Sequence, residues 1–307
     1  MAKIEEEKKY NTILYEKDKE EPHIVYVTLN RPEKRNAISI GPDEMTGELQ
    51  DAVRRIDLDD EVKVVIFRAA GEDFSGGFDL SEVYRVYGGA PGVQPHQNVR
   101  LRIDEEQLFG YPKAILNCKK VTMAQVQAGW CIEAGLWIAE CCDIAIAAEN
   151  AKFAHRGQRL AFGGIGLPFE LFTERTKKAT ELAITARTIS GKEAEEVGII
   201  TKAVPAEDVE EEVYNLAKMI CLMPMDAIAV GKMSRKHAYD AVGLGSWMNA
   251  VIYHTLGTNI IYRDDEKEDL FIRDREKLGE REAFHKLHKS AEEALDKTKY
   301  FKSYKGE

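Results

Sequence analysis

Nowhere in the 307 residues does an uninterrupted apolar run approach the roughly 18 residues that a membrane-crossing helix requires. The opening stretch, MAKIEEEKKYNT, is charged rather than apolar, so the expectation is a cytoplasmic protein with no membrane partner. Cysteine is scarce. The five present (Cys118, Cys131, Cys141, Cys142 and Cys221) form no CxxC or CxxH spacing, which argues for a reducing compartment and against a metal site or disulfide framework. Basic residues are outnumbered, 43 Lys and Arg against 53 Asp and Glu, for a net charge of -10. General nucleic-acid binding, which needs clustered cations to neutralise phosphates, is thereby excluded, whereas a small anionic ligand held by a few local groups is not. Neither a GxGxxG pattern nor a Walker loop is found, so the usual nucleotide cradles are missing as well.

What the chain does contain is an alternation of strand and helix signals, which favours an α/β architecture. His23 to Leu29 (HIVYVTL) and Val62 to Arg68 (VKVVIFR) are β-rich, and the second is nearly continuous in apolar residues, as expected where a sheet is covered on both faces. Between them lies a polar, proline-punctuated loop, Asn30 to Ala37, and a helix expected over Pro42 to Arg55. Gly76 and Gly77 form a turn before Phe78, whose N–H would lie near a helix start. Gly88 to Gln97 reads as a candidate lid. Further helices are expected at 99–109, 169–185, 190–197, 206–223, 226–239 and 244–262, with Ser190 and Glu193 spaced as a capping box. Apolar faces on the later helices call for oligomer contact.

Val121 to Ala148 (VTMAQVQAGWCIEAGLWIAECCDIAIAA) is the stretch around which the rest is arranged: strand, tight turn, short buried helix, strand. A helix beginning at Glu133 or Ala134 leaves unpaired N–H groups at its positive end, a place suited to an oxyanion or a polarised carbonyl oxygen.

These segments together resemble the crotonase (enoyl-CoA hydratase/isomerase) superfamily from about His23 to Met233. Asn30 to Ala37 (NRPEKRNA) is similar to the family's entry loop, Phe74 to Leu80 (FSGGFDL) to its FCAGxDL segment, Ala128 to Gly157 to its second glycine-rich segment, and Thr185 to Pro205 to its TGxxixAxEAxxxGLVxxVVP block. The resemblance implies a spiral of stacked ββα turns in two sheets over residues 1–206 and a helical C-terminal region over 207–307 that builds homotrimers or dimers of trimers. It implies an acyl-CoA substrate, with coenzyme A as part of that substrate and no further cofactor. It also implies an oxyanion hole made by the N–H groups of Phe78 and Ala134, with Arg35, Ala37, Gly76, Gly77, Asp79, Leu80 and Trp137 around the substrate. Alanine at 134 replaces the family's usual glycine and is tolerable only at negative φ.

The family's hydratases carry two glutamates that flank a water. At those positions this chain has Trp137 and Gly157. Glu133, His155 and Arg156 are the nearby candidates for a replacement acid/base set, with Glu170 and Arg159 on segments able to close over them. The expected function is an acyl-CoA lyase, isomerase or hydrolase. A C–C bond hydrolase acting on a cyclic β-keto substrate and a catalytically silent CoA-binding subunit are the alternatives.

Overall fold

The computed structural model describes residues 9–82, 96–160, 175–245, 251–252, 255–256, 274–275 and 277–306. The candidate lid (apart from its last two residues), the turn at 162–168, the first part of the helix expected from 169, most of the one expected at 244–262, and Glu170 lie outside the described residues.

Strands β1 (Ile13–Lys17), β2 (Ile24–Leu29), β3 (Val64–Ala69), β4 (Val121–Val126), β6 (Ile144–Ala148) and β9 (Lys202–Val204) form one six-stranded sheet in the order β1-β2-β3-β4-β6-β9. β1 pairs antiparallel with β2, and every other pairing is parallel. Val64, Val65, Ile66 and Phe67 are all fully buried. Because successive strand side chains point to opposite faces, both faces of the sheet are covered there, as the apolar run predicts. A second, three-stranded sheet joins β5 (Trp130–Ile132), β7 (Lys152–Ala154) and β8 (Ile189–Ser190). β5 is a strand that sequence reading passes over: only three residues long, it sits inside what reads as a turn, and its existence depends on pairing with β7.

Helix α1 (Met45–Leu58) buries Met45, Leu49, Ala52, Val53 and Ile56, the face expected from helical spacing. It starts three residues later than Pro42. The first helical N–H, of Met45, is capped by the Ser39 hydroxyl at 3.1 Å, and Gly41 N–H donates to the Thr46 hydroxyl at 3.0 Å, so the residues between form a tight turn. Glu48 is buried on this helix, where its carboxylate accepts from Asn11 N–H, Thr12 N–H and the Thr12 hydroxyl at 2.6–2.8 Å. The segment expected to be helical at 99–109 forms α2 (Gln97–Ile103) and a π-helical turn, followed by α3 (Gly110–Asn117).

The central helix is α4 (Ala134–Cys141), all eight of its residues buried. After β7 come α5 (Thr176–Thr185), α6 (Gly191–Val197), α7 (Val209–Cys221) and α8 (Met225–Ala241). Ser190 caps α6 by accepting Glu193 N–H at 3.2 Å. The reciprocal half of the capping box is not made, since the Glu193 carboxylate is held by Arg187 at 2.5 Å. α7 turns Val209, Val213, Ala217 and Ile220 into the core. α8 is tied down by Lys232, whose buried ammonium donates to Lys120 O, Thr122 Oγ1 and Asp143 Oδ2 at 2.9, 3.3 and 2.6 Å. Finally α9 (Glu280–Leu295) returns across the chain, and the tail behind it is stitched to β8 by Tyr304 N–H on Thr188 O at 2.8 Å. Among the described residues no single helix is long and apolar enough to cross a membrane.

Candidate active site

Two isolated parallel bridges bring distant loops together. Ser75 bridges Cys131, with Ser75 N–H on Trp130 O at 2.9 Å and Ile132 N–H on Ser75 O at 3.1 Å; Ile38 bridges Phe78. Counting three residues on from Ser75 and from Cys131 in parallel register sets Phe78 opposite Ala134. A Cβ added at Gly77 would lie 3.3 Å from Glu133 Cβ, which places Gly77 beside Glu133 as that register requires.

The two N–H groups follow from this. Gly77 O accepts from Ile38 N–H at 2.8 Å, so in a planar trans peptide the Phe78 N–H must point the opposite way, toward the β5–α4 turn. Gly77 adopts φ of +90°, a conformation open to glycine, and this switches the chain from pairing with β5 to pairing with Ile38. Ala134 is the first residue of α4, where an N–H has no intrahelical acceptor. Among the described residues neither Phe78 N–H nor Ala134 N–H donates a hydrogen bond. Two such groups near a helix start can both donate to a partly negative oxygen.

The start of α4 is locked from both sides. A Cβ at Gly135 would fall 2.2 Å from Ser75 Cβ, so only glycine lets the helix approach this closely. Buried Tyr111 donates its hydroxyl to Ala134 O at 2.8 Å. The Asn30–Ala37 loop holds the other donor: the Asn36 amide donates to Ala70 O and Asp73 O at 2.7 and 2.8 Å, the Ser75 hydroxyl donates to Asn36 O at 2.8 Å, and Gly76 N–H donates to Arg35 O at 2.8 Å. Arg35 and Asn36 are both left-handed, at φ of 53° and 50°. Arg35 leaves its guanidinium exposed, 3.6 Å from the Asp73 carboxylate.

The requirement for negative φ at Ala134 is met because the positive φ falls one residue earlier. Glu133 has φ 46° and ψ -121°, a region that costs a non-glycine residue about 1–3 kcal/mol. Its carboxylate compensates: Oε1 accepts the backbone N–H groups of Arg156 and of Gly157, the latter at 2.5 Å. Oε2 accepts no hydrogen bond among the described residues.

Trp137, one turn into α4, is 5 % exposed. Its ring meets the Phe78 ring edge-on at 5.4 Å and stacks on Phe109 at 6.0 Å. Its Nε1, a buried donor, has no hydrogen-bond partner among the described residues. His155 is 5 % exposed, with Nε2 3.4 Å from Glu140 Oε1 on α4. The Arg156 guanidinium lies 4.7 Å over the Trp130 ring and donates to Thr188 Oγ1 at 3.2 Å; burial, with the Arg159 charge nearby, pushes its pKa down to about 10. Asp79 is occupied as a pin: Arg31, Lys34 and Ser81 reach its carboxylate at 2.9, 3.2 and 2.5 Å. Burial opposes its ionisation, but those three partners outweigh it and hold the group below the usual carboxylate range. The Arg31 guanidinium also donates to Ala37 O at 2.6 Å, and Leu80 packs against Ala283 of α9.

A cavity of about 560 Å³ lies at the other end of α4, lined among others by Glu140, Asp143, Lys232 and Tyr239. It holds neither free backbone donor, and its Lys232 and Asp143 already satisfy each other. The donor geometry, not the cavity, therefore marks the candidate site.

Comparison with known proteins gives the family. The sequence pattern described as enoyl-CoA hydratase/isomerase matches residues 19–247. EchA13 of Mycobacterium tuberculosis, which carries an enoyl-CoA hydratase name, is 34% identical over 239 residues, 73% of each chain. Enoyl-CoA hydratase domain-containing protein 3, mitochondrial, of Rattus norvegicus is 30% identical over 207 residues, 67% of this chain and 65% of that one. The crystal structure of an enoyl-CoA hydratase/isomerase from Xanthobacter autotrophicus Py2 matches with a TM-score of 0.78 at 25% identity, covering 92% of this chain and 99% of that one. This chain belongs to the enoyl-CoA hydratase/isomerase family.

Trp137 and Gly157, where the resemblance expects the hydratase glutamates, lie in different surroundings. The Trp137 indole packs against Phe78 and Phe109. A Cβ on Gly157 would lie 3.4 Å from Glu133 Oε2, so that carboxylate sits beside the glycine. Sequence reasoning names Glu133 without foreseeing where its carboxylate goes, because the contact spans 23 residues. Glu140 is missed altogether. The available signal is a lone acid in the otherwise apolar AGLWIAEC, since a buried charge demands a partner.

Proposed function

We propose that this protein moves a proton beside an acyl-CoA thioester, with the Phe78 and Ala134 N–H groups holding the thioester oxygen and Glu133 acting as acid and base. The observation that carries this reading is the pair of backbone donors without acceptors next to one carboxylate whose second oxygen is open. Glu133 Oε2 takes a proton from the acyl carbon chain and becomes a carboxylic acid, while the electron pair passes to the thioester oxygen. That oxygen gains charge between two fixed donors, which stabilise the enolate more than the substrate. Each donor contributes about 3–4 kcal/mol to lowering the barrier. Return of the same proton to a different carbon shifts the double bond and restores the carboxylate.

Isomerisation of this kind needs a single acid/base group, whereas syn hydration needs water deprotonated and carbon protonated together. One carboxylate at the donors supports the former. His155 acts through Glu140 in positioning α4 and not as the base, and Arg156 contributes its backbone N–H to Glu133. Coenzyme A enters as part of the substrate, and proton transfer calls for no further cofactor. Exposed Leu222, Val230 and Val242 after and along the last core helices support trimer or hexamer assembly, to be checked by light scattering.

The test is a panel of enoyl- and β-keto-acyl-CoA thioesters, with products identified by mass spectrometry. A double-bond shift without mass change is expected. Addition of water with ring opening would transfer the reading to C–C hydrolysis, and binding without turnover would leave a silent CoA-binding subunit.

A further inference from the structure

We infer that Trp137 reads an oxygen acceptor on the acyl group, so that the substrate is an acyl-CoA carrying a carbonyl or hydroxyl beyond its thioester and not a plain hydrocarbon chain. This rests on the acyl-CoA reading of the site. An indole N–H can only donate, and buried donors in proteins are almost always partnered. Among the described residues Trp137 Nε1 is buried with no partner. Two aromatic rings meet the indole there, Phe78 edge-on and Phe109 stacked. Both are apolar and neither offers an oxygen.

The position of the indole makes the missing acceptor a ligand's. Trp137 stands three residues after Ala134 on the same short helix, and its ring touches the side chain of Phe78. It therefore borders both residues whose N–H groups are free, and an acyl chain whose thioester oxygen rests on those donors runs beside the indole. A hydrocarbon there would leave the donor unsatisfied, whereas an acceptor oxygen would complete it. The choice of residue has the same logic. Tryptophan at the position of a hydratase acid removes a proton donor and acceptor, keeps one directional donor, and adds flat apolar surface.

The experiment compares calorimetric binding of two matched pairs, butanoyl-CoA with 3-oxobutanoyl-CoA and hexanoyl-CoA with 5-oxohexanoyl-CoA, to the wild type and to Trp137→Phe. In at least one pair the oxygenated compound is expected to bind the wild type about 10- to 100-fold more tightly, as sites built around a polar contact discriminate against analogues that lack it. Trp137→Phe should abolish that preference, because phenylalanine keeps much of the ring packing but has no N–H to donate. In the wild type, an indole N–H resonance should move downfield with the oxygenated compound alone, a readout that does not depend on the variant folding. Equal wild-type affinities within both pairs, or an undiminished preference in Trp137→Phe, would overturn the inference while leaving the acyl-CoA reading standing. No binding of any of the four would overturn both.

Discussion

The two ends of the eight-residue helix α4 differ in how completely their polar groups are satisfied. At its C-terminal end lies the roomy cavity, yet Lys232 is bound to Asp143, Thr122 and Lys120, and Glu140 is paired with His155. Toward its N-terminal end, among the described residues, two backbone N–H groups have no acceptor, an indole N–H has none, and a glutamate holds a glycine-like conformation. A folded chain leaves buried donors open and a backbone strained only where something repays them. The lesson is that unsatisfied groups locate function here better than cavity volume does.

The sharpest way to break this comparison is at Glu133. Glu133→Gln keeps the size and an oxygen for the Arg156 and Gly157 N–H groups but removes the base, so kcat should fall about 10²- to 10⁴-fold with little change in KM. An unchanged rate would remove Glu133 from the mechanism. Moving the acid, by Glu133→Gly with Gly157→Glu, should recover part of the loss, since the wild type and this double variant both place a carboxylate in the same small volume.

Next in size is Gly135→Ala. Its methyl would enter Ser75 and push the start of α4 away from Phe78. The expectation is a loss of kcat of about 10²- to 10³-fold, that of one misplaced donor. Stability should fall by about 1–3 kcal/mol from overpacking. Steady-state kinetics and denaturant melts separate the two effects, and a normal rate in a folded variant would contradict the donor geometry.

At the opposite end of the helix, Lys232→Met should cost about 1–3 kcal/mol by leaving Asp143 short of a partner, with kcat per folded molecule unchanged. A large kcat effect there would mean that the two ends are not separable in the way described.

The smallest effect concerns α9. His288 accepts from Arg159 at Nδ1 at 2.9 Å, and its ring lies 4.1 Å from that of Phe284. Burial, then the charges of Arg156, Arg159 and His285, push its pKa from 6.5 down to about 3. A histidine depressed on docking is neutral in both states above pH 6.5, so docking is fully favourable there. Below that the undocked form takes up a proton that the docked form refuses, and docking weakens progressively toward pH 3. The protection factors of α9 amides, that is exchange corrected for its intrinsic pH dependence, should therefore fall between pH 7 and pH 5, and His288→Leu should flatten that fall.

Much of the architecture is legible from local pattern. The β-branched runs of β2, β3 and β4, the apolar stripe of α1 and the Ser190 cap each depend on residues near one another in sequence. Helix and strand ends are less so. α1 begins at Met45 because a hydroxyl six residues upstream caps it, and β5 exists only because β7 lies alongside. The candidate donors Phe78 and Ala134 are legible through resemblance, and the register of two bridges sets them opposite each other. The pairing of Asp79 with Arg31 and Lys34, the burial of His155 against Glu140, and the reach of Glu133 to residues 156 and 157 are not legible. Each joins side chains far apart in the chain, and sequence spacing carries no information about their direction.

By itself, then, the sequence determined the alternation of elements, the helix start at residue 134 and the glycines that permit close approach. Only the tertiary structure decided which polar groups are consumed in holding the fold and which are left over. Satisfaction of a donor or a carboxylate depends on what arrives from elsewhere in the chain, and that is settled by packing. It is the leftover set near the start of α4, two N–H groups, one carboxylate oxygen and one indole, on which the proposed chemistry rests.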